Sequence, residues 1–180
     1  SIDIYHQASI AQIQANLATK TCPVTTSISA TNATPVVGAL TNYTIPISTP
    51  FALTGSATDA NAGDALTYCW EQNDNSPTNQ TNANSVARAN KTGGPNWITF
   101  LPSASPTRYF PKLSTILAGQ LISGPLTGGD AGANTEALSS VSRTLNFRLT
   151  VRDNAPYSST APVSVGQTQF ADMVVTVTNT

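Results

Sequence analysis

Residues 143–152, RTLNFRLTVR, decide how this chain folds. Leu145, Phe147, Leu149 and Val151 occupy every second position, with Asn146, Arg148, Thr150 and Arg152 between them. A strand sends successive side chains to opposite faces, so the alternation predicts one apolar face and one wet face. On a helix the same four apolar residues would be scattered around the axis.

Outward from there the same texture recurs in short Thr-rich and Val-rich runs broken by Pro, Gly and Asn: residues 24–28, 43–47, 51–58, 66–72 and 173–178. Such runs predict an all-β fold, best satisfied by an immunoglobulin-like antiparallel β-sandwich with an N-terminal α-helix and long inserted loops. Trp70 is then the core tryptophan of a central strand, and its neighbour Cys69 faces the other way. The helix is read from Ile4, Tyr5, Ala8, Ile10, Ala11, Ile13 and Leu17, which recur at helical spacing after a capping Asp3. A helix this short is marginal alone and needs a surface to lie on, in this domain or in a neighbour. Residues 1–22 are then the helix and its linker, and residues 23–180 read as the sandwich. Two polar excursions, 73–96 and 119–138, flank a segment holding Trp97, Phe100, Tyr109, Phe110, Leu113, Ile116 and Leu117. That apolar mass is expected to fold back as a cap, with one helical turn over 112–117.

Charged residues make up 9 % of the 180, against roughly 25 % in an ordinary soluble protein. The formal net charge is −1 and no stretch concentrates Lys or Arg, which argues against nucleic acid and anionic membranes as partners. No apolar run approaches the roughly 20 residues that span a bilayer, so membrane insertion is not expected. Abundant Thr, Ser, Asn and Ala suit a secreted or cell-surface protein. The opening residues SIDIYHQASIAQ lack the basic end and apolar middle of a signal peptide, so an exported protein would present here as a mature or excised piece. Cys22 and Cys69 are the two cysteines. In an oxidising compartment they read as one disulfide fastening the linker to a central strand; the alternative is two reduced cysteines buried as small hydrophobes.

The loop DANAGD, residues 59–64, carries Asp59, Asn61 and Asp64 as hard oxygen donors, and Asp153 in VRDN joins them if both ends lie at one pole. Oxygen donors in such numbers suit Ca2+, which takes six to eight of them. The competing reading is turn chemistry, with Asp and Asn bonding to the local backbone and Gly63 at positive φ. Glu71 and Asp74 are further carboxylates nearby, and convergence of Asp64, Glu71 and Asp153 would permit glycoside hydrolysis. Other chemistries lack their residues. His6 is the one histidine, so neither a zinc-protease HExxH nor a histidine-based triad can be assembled. No GxSxG, P-loop or GxGxxG motif is present. Asn32, Asn42, Asn79 and Asn90 each open a glycosylation sequon, a frequent chance match in an Asn- and Thr-rich chain.

The runs YTIPISTPFALTGSATDANAGDALTYCWEQND, SPTRYFPKLSTILAG and SRTLNFRLTVRDN resemble the region that follows the catalytic domain in secreted bacterial reprolysin-like zinc metalloproteases. SIDIYHQASIAQIQANLATKTC looks like the last helix of such a catalytic domain and its exit linker. The resemblance implies an exported immunoglobulin-like module with a catalytic domain or other protein domains as partners, and it transfers no catalytic residue. Where related sequences read DANGD this one reads DANAGD, and the additional Ala62 alters the loop. The leading expectation is a non-catalytic accessory domain of an exported multidomain metalloprotease, acting as spacer, stabiliser or exosite. Its rival is a cell-surface adhesin or filament-forming subunit that self-associates through strand edges. Carbohydrate binding on exposed rings of Trp97, Tyr109 or Tyr157 is a third option.

Overall fold

The computed structural model describes residues 7–76, 85–125 and 133–179; Asp3, His6 and Asn79 lie outside them. The described chain is β-rich with two helices. Its main sheet has four strands, in the order β2 (Tyr43–Pro46), β10 (Thr168–Thr178), β9 (Arg143–Arg152) and β5 (Thr67–Gln72). Two-stranded pieces pair β1 (Val36–Val37) with β4 (Ala57–Thr58), β3 (Phe51–Thr54) with β6 (Thr107–Phe110), and β7 (Ile122–Ser123) with β8 (Glu136–Ala137). None of the described helices is long and apolar enough to cross a membrane.

The apolar half of the β9 alternation works as expected, whereas of the four residues expected on the wet face only Asn146 is exposed: Thr150 is buried and Arg148 and Arg152 are half-buried. Leu145, Phe147, Leu149 and Val151 are buried, at no more than 1 % exposed, and face Met173, Val175 and Val177 of β10 within one core. Opposite them the β3–β6 ribbon brings Phe51 and Phe110 against Phe147, at ring-centroid distances of 5.9 and 4.8 Å. Trp70 joins this core and donates its indole N–H to Pro106 O at 3.0 Å. Gly55 is needed where the backbone passes Leu149, because a Cβ there would sit 2.1 Å from Leu149 Cδ2. Residues 113–117 form the short helix α2 (Leu113–Leu117), where one helical turn was expected.

Several expectations are corrected. The sheet is mixed rather than antiparallel, since β2 lies parallel to β10 with Tyr43 beside Val175. Residues 24–28 form no strand. Val24 is 96 % exposed, and its β propensity has no edge to pair with. The run 51–58 breaks into β3 and β4 around Gly55, and β10 begins at Thr168, five residues before the expected start. The helix α1 (Gln7–Ala18) forms, but Ile13 and Leu17 remain 50 % and 54 % exposed, so the sheets do not cover its apolar side.

The expected Cys22–Cys69 disulfide is also absent: Cys22 is free and exposed, Cys69 free and buried. Both faces of β5 are covered, because the segment after Trp97 pairs with its outer edge through Tyr68 and Ser103, and Cys69 Sγ meets Phe100 O at 3.4 Å. Burial, with the Glu71 carboxylate adding to it, pushes the Cys69 thiol up to about 11 from an ordinary 9.0. The folded protein should therefore take a single maleimide near pH 8, at Cys22, and a second only in denaturant, because the thiolate is the nucleophile. Mass spectrometry reads the count, and two labels on the folded chain would refute this placement. Since the raised value favours the neutral thiol, its contribution to stability is complete below 9.0 and is lost as pH rises through about 11.

Candidate metal centre

Strand register puts the acidic residues at one pole. β5 runs antiparallel to β9 with Thr67 opposite Arg152, so the loop entering β5 and the residue leaving β9 emerge side by side. Asp59 follows β4 directly, Asp64 precedes β5 and Asp153 follows β9. One carboxylate oxygen from each lies within 4.8 Å of the other two. Two extended segments far apart in sequence thus deliver three carboxylates to one point.

Each is positioned by backbone hydrogen bonds. Asp59 Oδ1 accepts Asn61 N–H at 2.7 Å, and Asp64 N–H donates to Asn61 O at 3.1 Å, which folds the loop back on itself. Asp153 is fully buried. Its Oδ1 accepts the N–H groups of Ala155 and Gln167 at 3.1 and 2.8 Å, and its Oδ2 accepts Asn32 Nδ2 at 2.7 Å. Asn154, at φ 54, turns the chain just beyond it. Gly63 is not at positive φ, so the loop closes through the Asx contact of Asp59 instead.

Two features distinguish this pole from ordinary turns. Asp59 Oδ2 and Asp64 Oδ2 are shut off from solvent with no hydrogen-bond partner among the described residues. An ionised oxygen in that condition is costly unless something positive answers it. Burial first, then the neighbouring charges of Asp153 and Asp59, raises the Asp64 carboxyl above its usual range.

Asn61 Oδ1 accepts Ala33 N–H at 2.8 Å, which ties the acidic loop to the segment before β1. The residue the sequence reading missed is Asn32. It is 2 % exposed, so the sequon it opens is inaccessible to a glycan, and its Oδ1 is also buried without a partner among the described residues. Glu71 does not converge with Asp64 and Asp153. It sits opposite Arg148, four rows along the ladder from Arg152, a distance of about 13 Å at strand rise. Asp74 serves the far end, where it accepts from Asn146 Nδ2 at 2.6 Å. Trp97 is 4 % exposed and packs edge-on to Phe110, which removes it as a sugar platform; Tyr109 and Tyr157 remain exposed.

No protein-family model matches the sequence, and no curated protein is significantly similar to it. Among solved structures the chain is similar to a nucleoside hydrolase-related hypothetical protein from Saccharophagus degradans that is associated with carbohydrate metabolism. The identity is 17 % and the TM-score 0.40. The match covers 83 % of this chain and 27 % of that one, so the chain spans about a quarter of that protein's length.

Proposed function

We propose that this chain is a non-catalytic, immunoglobulin-like accessory module of an exported multidomain protein, stiffened at one pole by Ca2+. The observation that carries the reading is the meeting of Asp59, Asp64 and Asp153 within 4.8 Å, with two of their oxygens buried and unanswered. The donors are all oxygen, the chemistry Ca2+ prefers. The sandwich reading is supported by the β3–β6 ribbon facing the four-stranded sheet across the aromatic core. The accessory role is supported by α1, whose exposed Ile13 and Leu17 suit packing against a neighbouring domain, and by the resemblance to the region after a reprolysin-like catalytic domain.

Thermal melting in CaCl2 and in EDTA tests the reading. At a hundred times its dissociation constant the ion should add about 2.7 kcal/mol, or roughly 5–10 °C in Tm for a chain of this size. The pH profile should change sign with the metal. In EDTA the contribution of Asp64 is complete below its ordinary value of 3.8 and is lost as pH rises through its raised folded value. With Ca2+ bound, acidification should instead destabilise, because protons displace the ion. Equal melting curves in CaCl2 and EDTA, with no Ca2+ retained in equilibrium dialysis, would sink the proposal.

A further inference from the structure

We propose that Asn32 Oδ1 is a further ligand of this centre, so that the ion clamps the N-terminal strap, residues 28–35, onto the body of the domain. The inference rests on the calcium reading above and extends it from stability to control of the segment that carries α1.

Among the described residues, the strap makes the first hydrogen bonds from the N-terminal part of the chain to the body of the domain. Residues 19–27 are all exposed. At Ile28 the chain turns, its carbonyl accepting the N–H groups of both Thr31 and Asn32 at 2.9 Å. Thr31 Oγ1 then donates to Val163 O at 2.8 Å, and Asn32 Nδ2 donates to Val165 O at 2.9 Å as well as to Asp153 Oδ2. One residue later, Ala33 N–H reaches Asn61 in the acidic loop. Asn32 therefore lies between the two segments that supply the carboxylates.

The orientation of its amide is settled by its partners. Both atoms near the amide nitrogen are acceptors, so that end must be the NH2 group, and the oxygen is left as the unpartnered end. A buried amide oxygen without a donor among the described residues is uncommon, and on a side chain that touches the Asp153 carboxylate the group that would satisfy it is a cation. Amide oxygens are ordinary Ca2+ ligands, neutral ones that add coordination without adding repulsion. Asn32 also lies outside the acidic cluster in sequence and in charge, so its orphaned oxygen is evidence independent of the crowded carboxylates.

Three segments then meet at one ion: the strap, the loop before β5 and the turn after β9. Withdrawing the ion leaves the strap held by hydrogen bonds alone and loosens the attachment of α1, and with it the placement of whatever domain α1 packs against.

The test uses the full chain with Ca2+ itself, read by calorimetric titration and by hydrogen exchange in CaCl2 and in EDTA. In the wild type, Ca2+ should slow amide exchange over both 28–35 and 59–64. Asn32→Ala should weaken Ca2+ binding about tenfold while keeping the protection of 59–64 and losing that of 28–35. Asn32→Asp places a fourth carboxylate in the cluster, so the Ca2+-induced rise in Tm should exceed that of the wild type. An unchanged Kd for Asn32→Ala, or a rise for Asn32→Asp no larger than the wild type's, overturns the role of Asn32 and leaves the calcium reading standing. If Asn32→Ala fails to fold, the wild type decides, since Ca2+ that protects 59–64 but not 28–35 refutes the clamp. A wild type that binds no Ca2+ removes both proposals at once.

Discussion

Replacing Glu136 with glutamine should destabilise the protein by about 3–5 kcal/mol, the cost of leaving a buried charge without its partner. Glu136 is fully buried, and its Oε1 accepts Arg108 Nη2 at 3.1 Å while its Oε2 accepts Lys112 N–H at 2.9 Å. The guanidinium is enclosed as well. It donates to Trp70 O and Ile98 O at 2.8 and 2.6 Å, and lies 4.3 and 4.6 Å from the ring centroids of Phe100 and Phe110. Burial pulls the Arg108 pKa down and the Glu136 carboxylate opposes that pull, which identifies the anion as the compensating charge. Glutamine keeps the shape and removes the charge. The double replacement Arg108→Met with Glu136→Leu should recover much of the loss, because an apolar pair of similar volume leaves nothing unpaired. Urea unfolding followed by tryptophan fluorescence reads both, and a Glu136→Gln loss below about 1 kcal/mol would reduce the pair to the rank of a surface bridge.

Phe110→Ala should cost a comparable amount, about 3–5 kcal/mol, through loss of burial and through the cavity left behind. Phe110 is fully buried at the centre of the aromatic cluster. It stacks on Phe51 at 4.9 Å and meets Trp97 and Phe147 edge-on at 5.3 and 4.8 Å, so the surrounding rings cannot all close the gap. Tyr157, 75 % exposed, is the control, and Tyr157→Ala should fall within about 0.5 kcal/mol of the wild type. Equal losses for the two would mean that the β3–β6 ribbon does not face the main sheet as described.

Much of this was legible from local pattern. The alternation of Leu145 to Val151 located β9, the core position of Trp70 followed from its strand, and the helical turn before Gly119 was readable from 112–117. The carboxylates at 59, 64 and 153 were recognisable as a set because both loops flank strands. Residues 107–110 were read only as apolar filling. TRYF forms a strand because its partner, β3, lies more than fifty residues earlier, and no short window contains both. Residues 24–28 fail as a strand for the complementary reason: they have the propensity but no edge.

The cysteines and Asn32 show the same division. A rule about exported proteins paired Cys22 with Cys69, whereas the covering of β5 by residues 97–105 buries one thiol and leaves the other in solvent. Asn32 looked like a sequon and lies 121 residues from the carboxylate it touches. What the sequence determined by itself was the β character, the strands with clean period-two alternation and the acidic loop, since each is set by neighbours a few residues apart. Only the tertiary structure decided the mixed sheet, the Arg108–Glu136 pair and the burial of Asn32 against Asp153, because burial and partnership depend on which distant segments the folded chain brings into contact.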